Sequence, residues 1–128
     1  MRTKCPNPWN RAFTLVEIMV VVTIIGLLAV IAVTNFMIAR DSSRLKVIQT
    51  NLRQIEEAKE QWAFETKQRD GAPVGDVSVL QDFFRGGRIR VVVHETYNPN
   101  PVGTPATAAL PADVKLGPYA AGAIIPAP

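Results

Sequence analysis

Residues 11–38 read RAFTLVEIMVVVTIIGLLAVIAVTNFMI, and this long apolar segment determines how the chain is organised. Between Ile18 and Ile38 there is no ionisable side chain. As an α-helix with a rise of about 1.5 Å per residue, this segment would extend roughly 31 Å. That length crosses the hydrocarbon core of a bilayer. The stretch therefore predicts a membrane-spanning helix with one carboxylate, that of Glu17, at its border.

The position of Glu17 is unusual for a membrane helix. A carboxylate in such a place costs on the order of 2 to 3 kcal/mol on insertion scales. One interpretation is that Glu17 finds a partner charge that is present only in an assembled state. The other is that it lies at the level of the lipid headgroups, and spacing alone leaves both interpretations open.

The residues around Glu17 carry a family resemblance. Ala12-Phe13-Thr14-Leu15-Val16-Glu17 resembles the prepilin processing and methylation motif of type IV pilins and type II secretion pseudopilins. A short basic leader precedes the motif, and Gly26 stands where family members carry a glycine. The resemblance implies cleavage between Ala12 and Phe13, N-methylation of Phe13, and roles for Glu17 and Gly26 in assembly.

Two residues depart from the usual pattern of this family. Ala12 stands where the family usually has Gly, which predicts slower cleavage at that bond. Thr34 stands where many members have Pro, so a helix break of the kind that Pro introduces is not expected there. The resemblance covers roughly residues 11–66 well and the remainder loosely.

The resemblance implies a structural filament subunit, closest to a G-type major pseudopilin, that serves type II secretion or a type IV pilus. Such a protein is not an enzyme but a substrate of a prepilin peptidase and N-methyltransferase. Its partners would be other pilin-like subunits and an inner-membrane assembly platform. It would cross the bacterial inner membrane once, with a cytoplasmic N-terminus and a periplasmic C-terminal region. The alternatives are a membrane-anchored binding module, such as an adhesin or DNA-uptake subunit, and an unprocessed single-pass protein.

Charge and cysteine content narrow these classes. The chain has fourteen basic and eleven acidic residues, and three of the basic ones, Arg2, Lys4 and Arg11, lie in the leader. Cleavage before Phe13 would leave eleven of each, so the basic pI gives no reason to expect nucleic-acid binding. Cys5 is the only cysteine, and the chain can therefore form no internal disulfide.

The chain divides into four predicted segments: a leader, 1–12; a membrane half-helix, 13–38; an amphipathic half-helix, 39–70; and a Pro-rich extracytoplasmic region, 71–128. The second half-helix is recognised by apolar residues at helical spacing. They are Leu45, Ile48, Leu52, Ile55, Ala58 and Trp62. Arg53 and Glu57 lie on the opposite face as an i, i+4 pair.

The fold class predicted is α+β, with a long N-terminal helix and a pilin-like C-terminal region of short strands and loops. Gly71 is expected to cap the helix, with Pro73 beyond it. Asp76 is expected to cap a short helical turn through Phe84. The strand candidates are 89–93 and 114–116, the segment 97–103 is expected to be a turn, and the tail from Gly117 is expected not to fold alone. The expected apolar anchors are Trp62, Phe64, Leu80, Phe83, Phe84, Ile89, Val91, Val93, Tyr97 and Leu110.

No catalytic, cofactor or metal site is predicted. The chain has a single histidine, His94, which is expected to form a solvated surface pair with Glu95. Calcium requires several close oxygen ligands, and Asp113 is the only acid beyond Glu95. The arginines around the Gly86-Gly87 turn lack the setting of a P-loop and are expected to be solvated. They are Arg85, Arg88 and Arg90.

Overall fold

The computed structural model describes residues 13–128 of the chain. A long helix, α1 (Leu15–Glu65), is followed by a 3₁₀ helix (Val77–Phe83). Three short strands come next, namely β1 (Thr96–Asn98), β2 (Thr107–Ala109) and β3 (Ile124–Pro126). The predicted α+β class is confirmed. The chain separates into two compact units, one ending at Met37 and the other comprising Ile38–Pro128.

In the first unit, every described side chain is exposed, from Phe13 to Met37. We call residues 13–37 the apolar arm. Two of its three threonine hydroxyls donate hydrogen bonds to the helix backbone, from Thr23 Oγ1 to the Met19 carbonyl and from Thr34 Oγ1 to the Val30 carbonyl. Such bonds satisfy hydroxyl groups in an apolar solvent. α1 includes Thr34 without interruption, as expected for a position without Pro.

The second unit has a hydrophobic core to which α1 contributes a regular stripe. Ile48, Leu52 and Ile55 are fully buried, and Ala58 is almost so. Their spacing of three or four residues places them on one side of the helix. They join one cluster with buried residues of the 3₁₀ helix, the sheet and the loops. The predicted core face is therefore confirmed, with Leu45 and Trp62 partly buried at its margins.

The end of α1 differs from the prediction. Lys67, with φ of 54°, is the left-handed residue after the helix. The Lys67 N–H donates to the Phe64 carbonyl and the Gln68 N–H to the Ala63 carbonyl, which is the bonding pattern of a Schellman cap. Gly71 was predicted as the cap, but its N–H donates instead to the Val102 carbonyl at 2.8 Å. The prediction of a capped turn after Asp76 is confirmed, since its side chain accepts from the Val77 N–H.

The sheet is antiparallel in the order β1-β2-β3, and Tyr97 pairs with Ala108, which pairs with Ile125. The prediction of a strand over 89–93 is wrong, and so is the reading of Tyr97 as part of a turn. The physical reason is that the Glu95 carboxylate accepts the N–H groups of Val92 and Val93. Those donors are then not available to a neighbouring strand.

The C-terminal tail from Gly117, which was expected not to fold alone, packs against the rest of the second unit. It contains β3, whose Ile125 is fully buried, so it forms part of the core. The segment 114–116 is not a strand: the Val114 N–H donates to the Pro111 carbonyl and closes a turn at Ala112 and Asp113, just before the segment. Leu116 forms only an isolated bridge, to Tyr119.

The list of predicted anchors needs two corrections. Phe64 is 87% exposed and Val91 is 52% exposed, so neither belongs to the core. Several small or late residues take part in the core instead, and their sequence context gave little sign of it. They are Val102, Ala106, Ala108, Leu116 and Ile125.

Candidate assembly site at the start of α1

Thr14 begins α1 as its cap. Its Oγ1 accepts a hydrogen bond of 3.2 Å from the Glu17 N–H, and its carbonyl accepts from the Ile18 N–H. A threonine followed three residues later by glutamate is the sequence of a capping box. This role of Thr14 was not predicted from the sequence, although the Thr-x-x-Glu spacing is the signal that reveals it.

Glu17 lies in the first turn of α1 and is exposed. Among the described residues, no hydrogen bond or ion pair reaches its carboxylate. A negative charge in the first turn is favoured by the partial positive charge at a helix N-terminus. The structure therefore adds a third interpretation of Glu17, in which its negative charge stabilises the start of α1. It also leaves the carboxylate accessible to a group outside the chain.

Gly26 is not required by any contact within the protein. A Cβ built at this position would meet no atom within 4 Å. A shallow, mostly apolar groove lies nearby on the same helix. It is lined by Val16, Met19, Val20, Thr23 and Ile24. The described part of the chain has one helix long and apolar enough to cross a membrane, namely α1, and its apolar portion is not buried. A continuous exposed apolar surface of this kind indicates contact with lipid or with another protein.

Of the two residues of the predicted processing site, only Phe13 is among those that the structure describes. Phe13 precedes the helix and is 75% exposed. Ala12 and the rest of the predicted leader lie outside the described residues. Phe13 and Glu17 are four residues apart in sequence, and no bond between them is present in the described part of the chain.

The second unit contains a buried cation that the sequence did not reveal. Lys59 is 1% exposed, and its Nζ donates to Glu56 Oε1 at 3.0 Å and to the carbonyls of Pro99 and Thr104. Glu56 also accepts from the Ala106 N–H. The pair thus joins α1 to the loop before β2. A lysine next to an amphipathic stripe is ordinarily solvated, so its spacing gave no signal of this role.

Glu95 is the centre of a second buried network. Besides the N–H groups of Val92 and Val93, its carboxylate accepts the Tyr97 hydroxyl at 2.7 Å. Asn51 of α1 donates in turn to the Tyr97 hydroxyl and to the Arg90 carbonyl. The prediction that Glu95 is solvated is wrong, because these donors compensate its burial. His94 is exposed and has φ of 62°, which the tight turn around Glu95 requires.

Both ionisable groups of this network have shifted pKa values. Burial acts to raise the pKa of the Glu95 carboxyl, but its hydrogen bonds to Val93, Tyr97 and Val92 outweigh that effect and lower the pKa below 4.5. Burial raises the pKa of the Tyr97 hydroxyl, and its bond to Glu95 raises it further against the opposite effect of Asn51. The network is therefore charged once, on Glu95, at neutral pH.

The described residues contain no group of three or more His, Cys, Asp or Glu side chains placed to hold a metal ion. Arg85, Arg88 and Arg90 are exposed around the Gly86-Gly87 turn. Both glycines there have positive φ, so the predicted turn is confirmed. The two buried polar networks of the second unit have their partners within that unit, whereas the continuous exposed apolar surface among the described residues lies in the apolar arm.

Comparison with known proteins also points to the N-terminal part of the chain. Residues 10–33 match the family described as the prokaryotic N-terminal methylation motif. A stretch of 55 residues is 47% identical to the type IV major pilin protein PilA of Myxococcus xanthus strain DK1622. That match covers 43% of this chain and 25% of the relative, so the chain spans a quarter of the relative's length in the alignment. No solved structure gives a significant match.

The chain therefore carries the N-terminal methylation motif of the type IV pilin family, and the resemblance found in residues 11–38 is confirmed. It is similar at its N-terminal part to a type IV major pilin. The closer likeness to a G-type major pseudopilin stays a prediction.

Proposed function

We propose that this protein is a structural subunit that polymerises through its N-terminal helix into a pilus-like filament. The observation that carries the proposal is the apolar arm, whose described side chains are all exposed, joined to a methylation motif with an accessible Glu17. Lipid covers such an arm in the membrane, and neighbouring arms cover it in a filament. The filament would serve type II secretion or a type IV pilus, and the likeness to a major pilin is compatible with both.

Processing is the first step of the proposed pathway. A prepilin peptidase would cut between Ala12 and Phe13, and the new amine of Phe13 would be methylated. The leader would stay in the cytoplasm, with the second unit on the periplasmic side of the inner membrane. In this role the protein is a substrate rather than an enzyme. Intact-mass analysis of native protein tests the step: a chain that starts at methylated Phe13 is expected, and one that retains Met1 contradicts it.

Assembly is the second step, and Glu17 would set its register. The new amine of Phe13 is positive, and Glu17 is the acid of the apolar arm that could meet it on a neighbouring copy. In a medium of low dielectric, each charge is costly alone and is partly compensated by its pair. Gly26 would let neighbouring helices approach closely. Most of the association energy would come from apolar packing along residues 18–38.

Two variants distinguish this role of Glu17 in assembly from a stabilising effect on its own helix. Glu17→Val removes the carboxylate and is expected to leave membrane insertion intact while sharply reducing assembly. Thr14→Val removes the cap and leaves the carboxylate, and we expect it to cost about 1 kcal/mol of local helix stability with assembly retained. Crosslinking of membranes in which the variant is the sole copy provides the measurement. If Glu17→Val gives ladders as long as those of the parent chain, the register role is wrong.

A further inference from the structure

The exposed charges of α1 in the second unit are divided by sign along its axis. From Ile38 to Arg53 the helix has four basic residues and one acid, and from Gln54 to Glu65 it has four acids and one base. The base in the acidic part is Lys59, which is buried against Glu56. The exposed acids are thus Glu57, Glu60 and Glu65, and no cation within 4.0 Å pairs with them among the described residues.

At its acidic end, this order is opposite to what the helix itself favours. A helix stabilises acids at its N-terminal end and bases at its C-terminal end. Here the last turn of α1 has no basic residue and ends at Glu65. Glu57 and Glu60 also lie three residues apart on one face, where like charges repel. Arg53 is four residues before Glu57, but the two do not form an ion pair. The charge pattern is therefore unfavourable within one copy of the chain.

The acidic end of α1 also has an exposed aromatic ring. Phe64 is 87% exposed and lies in a groove with the acids. We call this the acidic groove, lined by Glu57, Glu60, Gln61, Phe64, Glu65 and Arg85. An aromatic face beside several carboxylates suits an arginine or lysine, whose stem packs on the ring while its charge meets the acids. The one cation in the groove, Arg85, leaves it negative.

At the other end of the second unit lies the opposite charge. Arg40, Arg44, Lys46 and Lys115 form what we call the basic collar. Lys115 lines a groove with Asp41 and Leu45 of α1, which places it beside the helix. The collar has a single close acid, Asp41, whose contact with Arg44 measures 3.9 Å. From centre to centre, the collar lies roughly 25 to 30 Å from the acidic groove along α1, at a rise of about 1.5 Å per residue.

We propose that the acidic groove of one copy binds the basic collar of a second copy, head to tail. This inference rests on the proposed filament, in which α1 helices of neighbouring copies lie parallel. A copy displaced by roughly 25 to 30 Å along the axis brings its collar beside the groove of the next. The contact covers Phe64 and compensates charges that are unfavourable in one copy. Anionic lipid suits the collar but would be repelled by the groove, so a second copy explains both surfaces.

A cysteine pair tests the contact in membranes that contain the full chain as the sole copy, in a Cys5→Ser background. Ser43 and Gln61 are exposed residues beside the collar and in the groove. A chain with Ser43→Cys and Gln61→Cys is expected to form a ladder on mild oxidation, and either substitution alone is expected to leave monomers. Dimers from Gln61→Cys alone would indicate a symmetric pairing and overturn the proposal. Ser43→Cys combined with Ala109→Cys is the matched control and is expected to form no ladder.

Charge reversal shows whether electrostatics carry the contact. In the chain with the cysteine pair, Glu57→Lys with Glu60→Lys is expected to reduce the ladder by roughly tenfold or more, since like charges then meet. Adding Arg40→Glu with Lys46→Glu is expected to restore it. An unchanged ladder after the first reversal overturns the proposal. A collar reversal that impairs binding to anionic vesicles while groove reversal leaves the ladder intact assigns the collar to lipid and also overturns it.

Electron microscopy of the same preparations separates this inference from the filament proposal. Filaments without the ladder mean that the charge contact is wrong and the filament proposal stands. A ladder without filaments means that the contact is right and the filament proposal is wrong. The absence of both contradicts both.

Discussion

The apolar arm and the second unit use the same residue types in opposite ways. Ile24 and Ile25 in the arm are 53% and 59% exposed, whereas Ile48 and Ile55 further along α1 are fully buried. The difference does not lie in the residues, since both segments are helical and rich in Ile, Val and Leu. It lies in whether the chain supplies a partner. The second unit is therefore packed by contacts within the chain, whereas the arm exposes an apolar surface of the kind that lipid or other proteins cover.

The largest loss of stability is expected from a substitution of Leu52, in the core of the second unit. Leu52→Ala should lower the free energy of unfolding of the second unit by about 2 to 5 kcal/mol, because its side chain is fully buried. Leu28→Ala in the arm is the matched control, since Leu28 is 60% exposed, and it should leave that stability unchanged. Urea unfolding of the full chain in mild detergent, followed by near-ultraviolet circular dichroism, measures both. Equal effects of the two substitutions would show that burial does not distinguish the two regions.

The next largest effect is expected at Lys59. Lys59→Met should lower the free energy of unfolding of the second unit by about 2 to 3 kcal/mol. The substitution leaves the carbonyls of Pro99 and Thr104 without their donor and Glu56 without its cation. Glu56 is partly exposed and can regain water, which keeps the loss below that of a fully buried pair. The same unfolding experiment measures it. Glu56→Gln serves as the control, because an amide oxygen still accepts from Ala106, and a smaller loss is expected there.

Glu95 is expected to make the stability of the second unit depend on pH. Its pKa is lowered in the folded state, so its stabilisation is present above the ordinary pKa of 4.5 and is lost as pH falls through the folded value. Stability of the second unit should therefore fall as pH drops below about 4.5. Glu95→Gln should cost about 1 to 2 kcal/mol at pH 7 and flatten that fall. A Glu95→Gln chain with the same acid dependence as the parent would show that other carboxylates cause it.

The pH effect has an alkaline counterpart in Tyr97. Its pKa is raised in the folded state, so the stabilisation it provides is present below the ordinary value of 10.0 and is lost as pH rises through the folded value. Tyr97→Phe keeps the ring and removes the hydroxyl, which makes it the matched variant. Comparison of the two unfolding curves above pH 10 isolates the contribution of this group.

The features that could be predicted from the sequence are those that repeat or that lie close in the chain. The stripe through Ile48, Leu52 and Ile55 was found because it recurs with the period of a helix. The Asp76 cap and the Gly86-Gly87 turn were found because they depend on neighbouring residues. The methylation motif was found because its residues are contiguous.

Two of the features that were missed, the burial of Lys59 and strand β3, depend on partners distant in sequence, whereas the misplaced strand over 89–93 has a local cause. Lys59 is buried only because carbonyls some 40 residues away approach it, and nothing in its neighbourhood signals them. The strand was misplaced because Glu95 accepts the N–H groups that a strand over 89–93 would have needed. The Ala, Gly and Pro residues of the tail hid β3, whose pairing is supplied by Ala108 and its neighbours.

Arg53 is expected to give the smallest effect, and it tests the surface of α1 rather than its core. The sequence predicts an ion pair between Arg53 and Glu57, worth a few tenths of a kcal/mol. In the structure both side chains are exposed, and the two ion pairs among residues 13–128 are Arg44–Asp41 and Lys59–Glu56. Arg53→Ala should therefore change the free energy of unfolding by less than about 0.5 kcal/mol. Because Glu57 has no cation from its own copy, Arg53→Ala should also leave the head-to-tail ladder intact. A loss of more than about 1 kcal/mol would mean that Arg53 does pair with Glu57 in solution. The acidic groove would then be less negative than its exposed acids indicate.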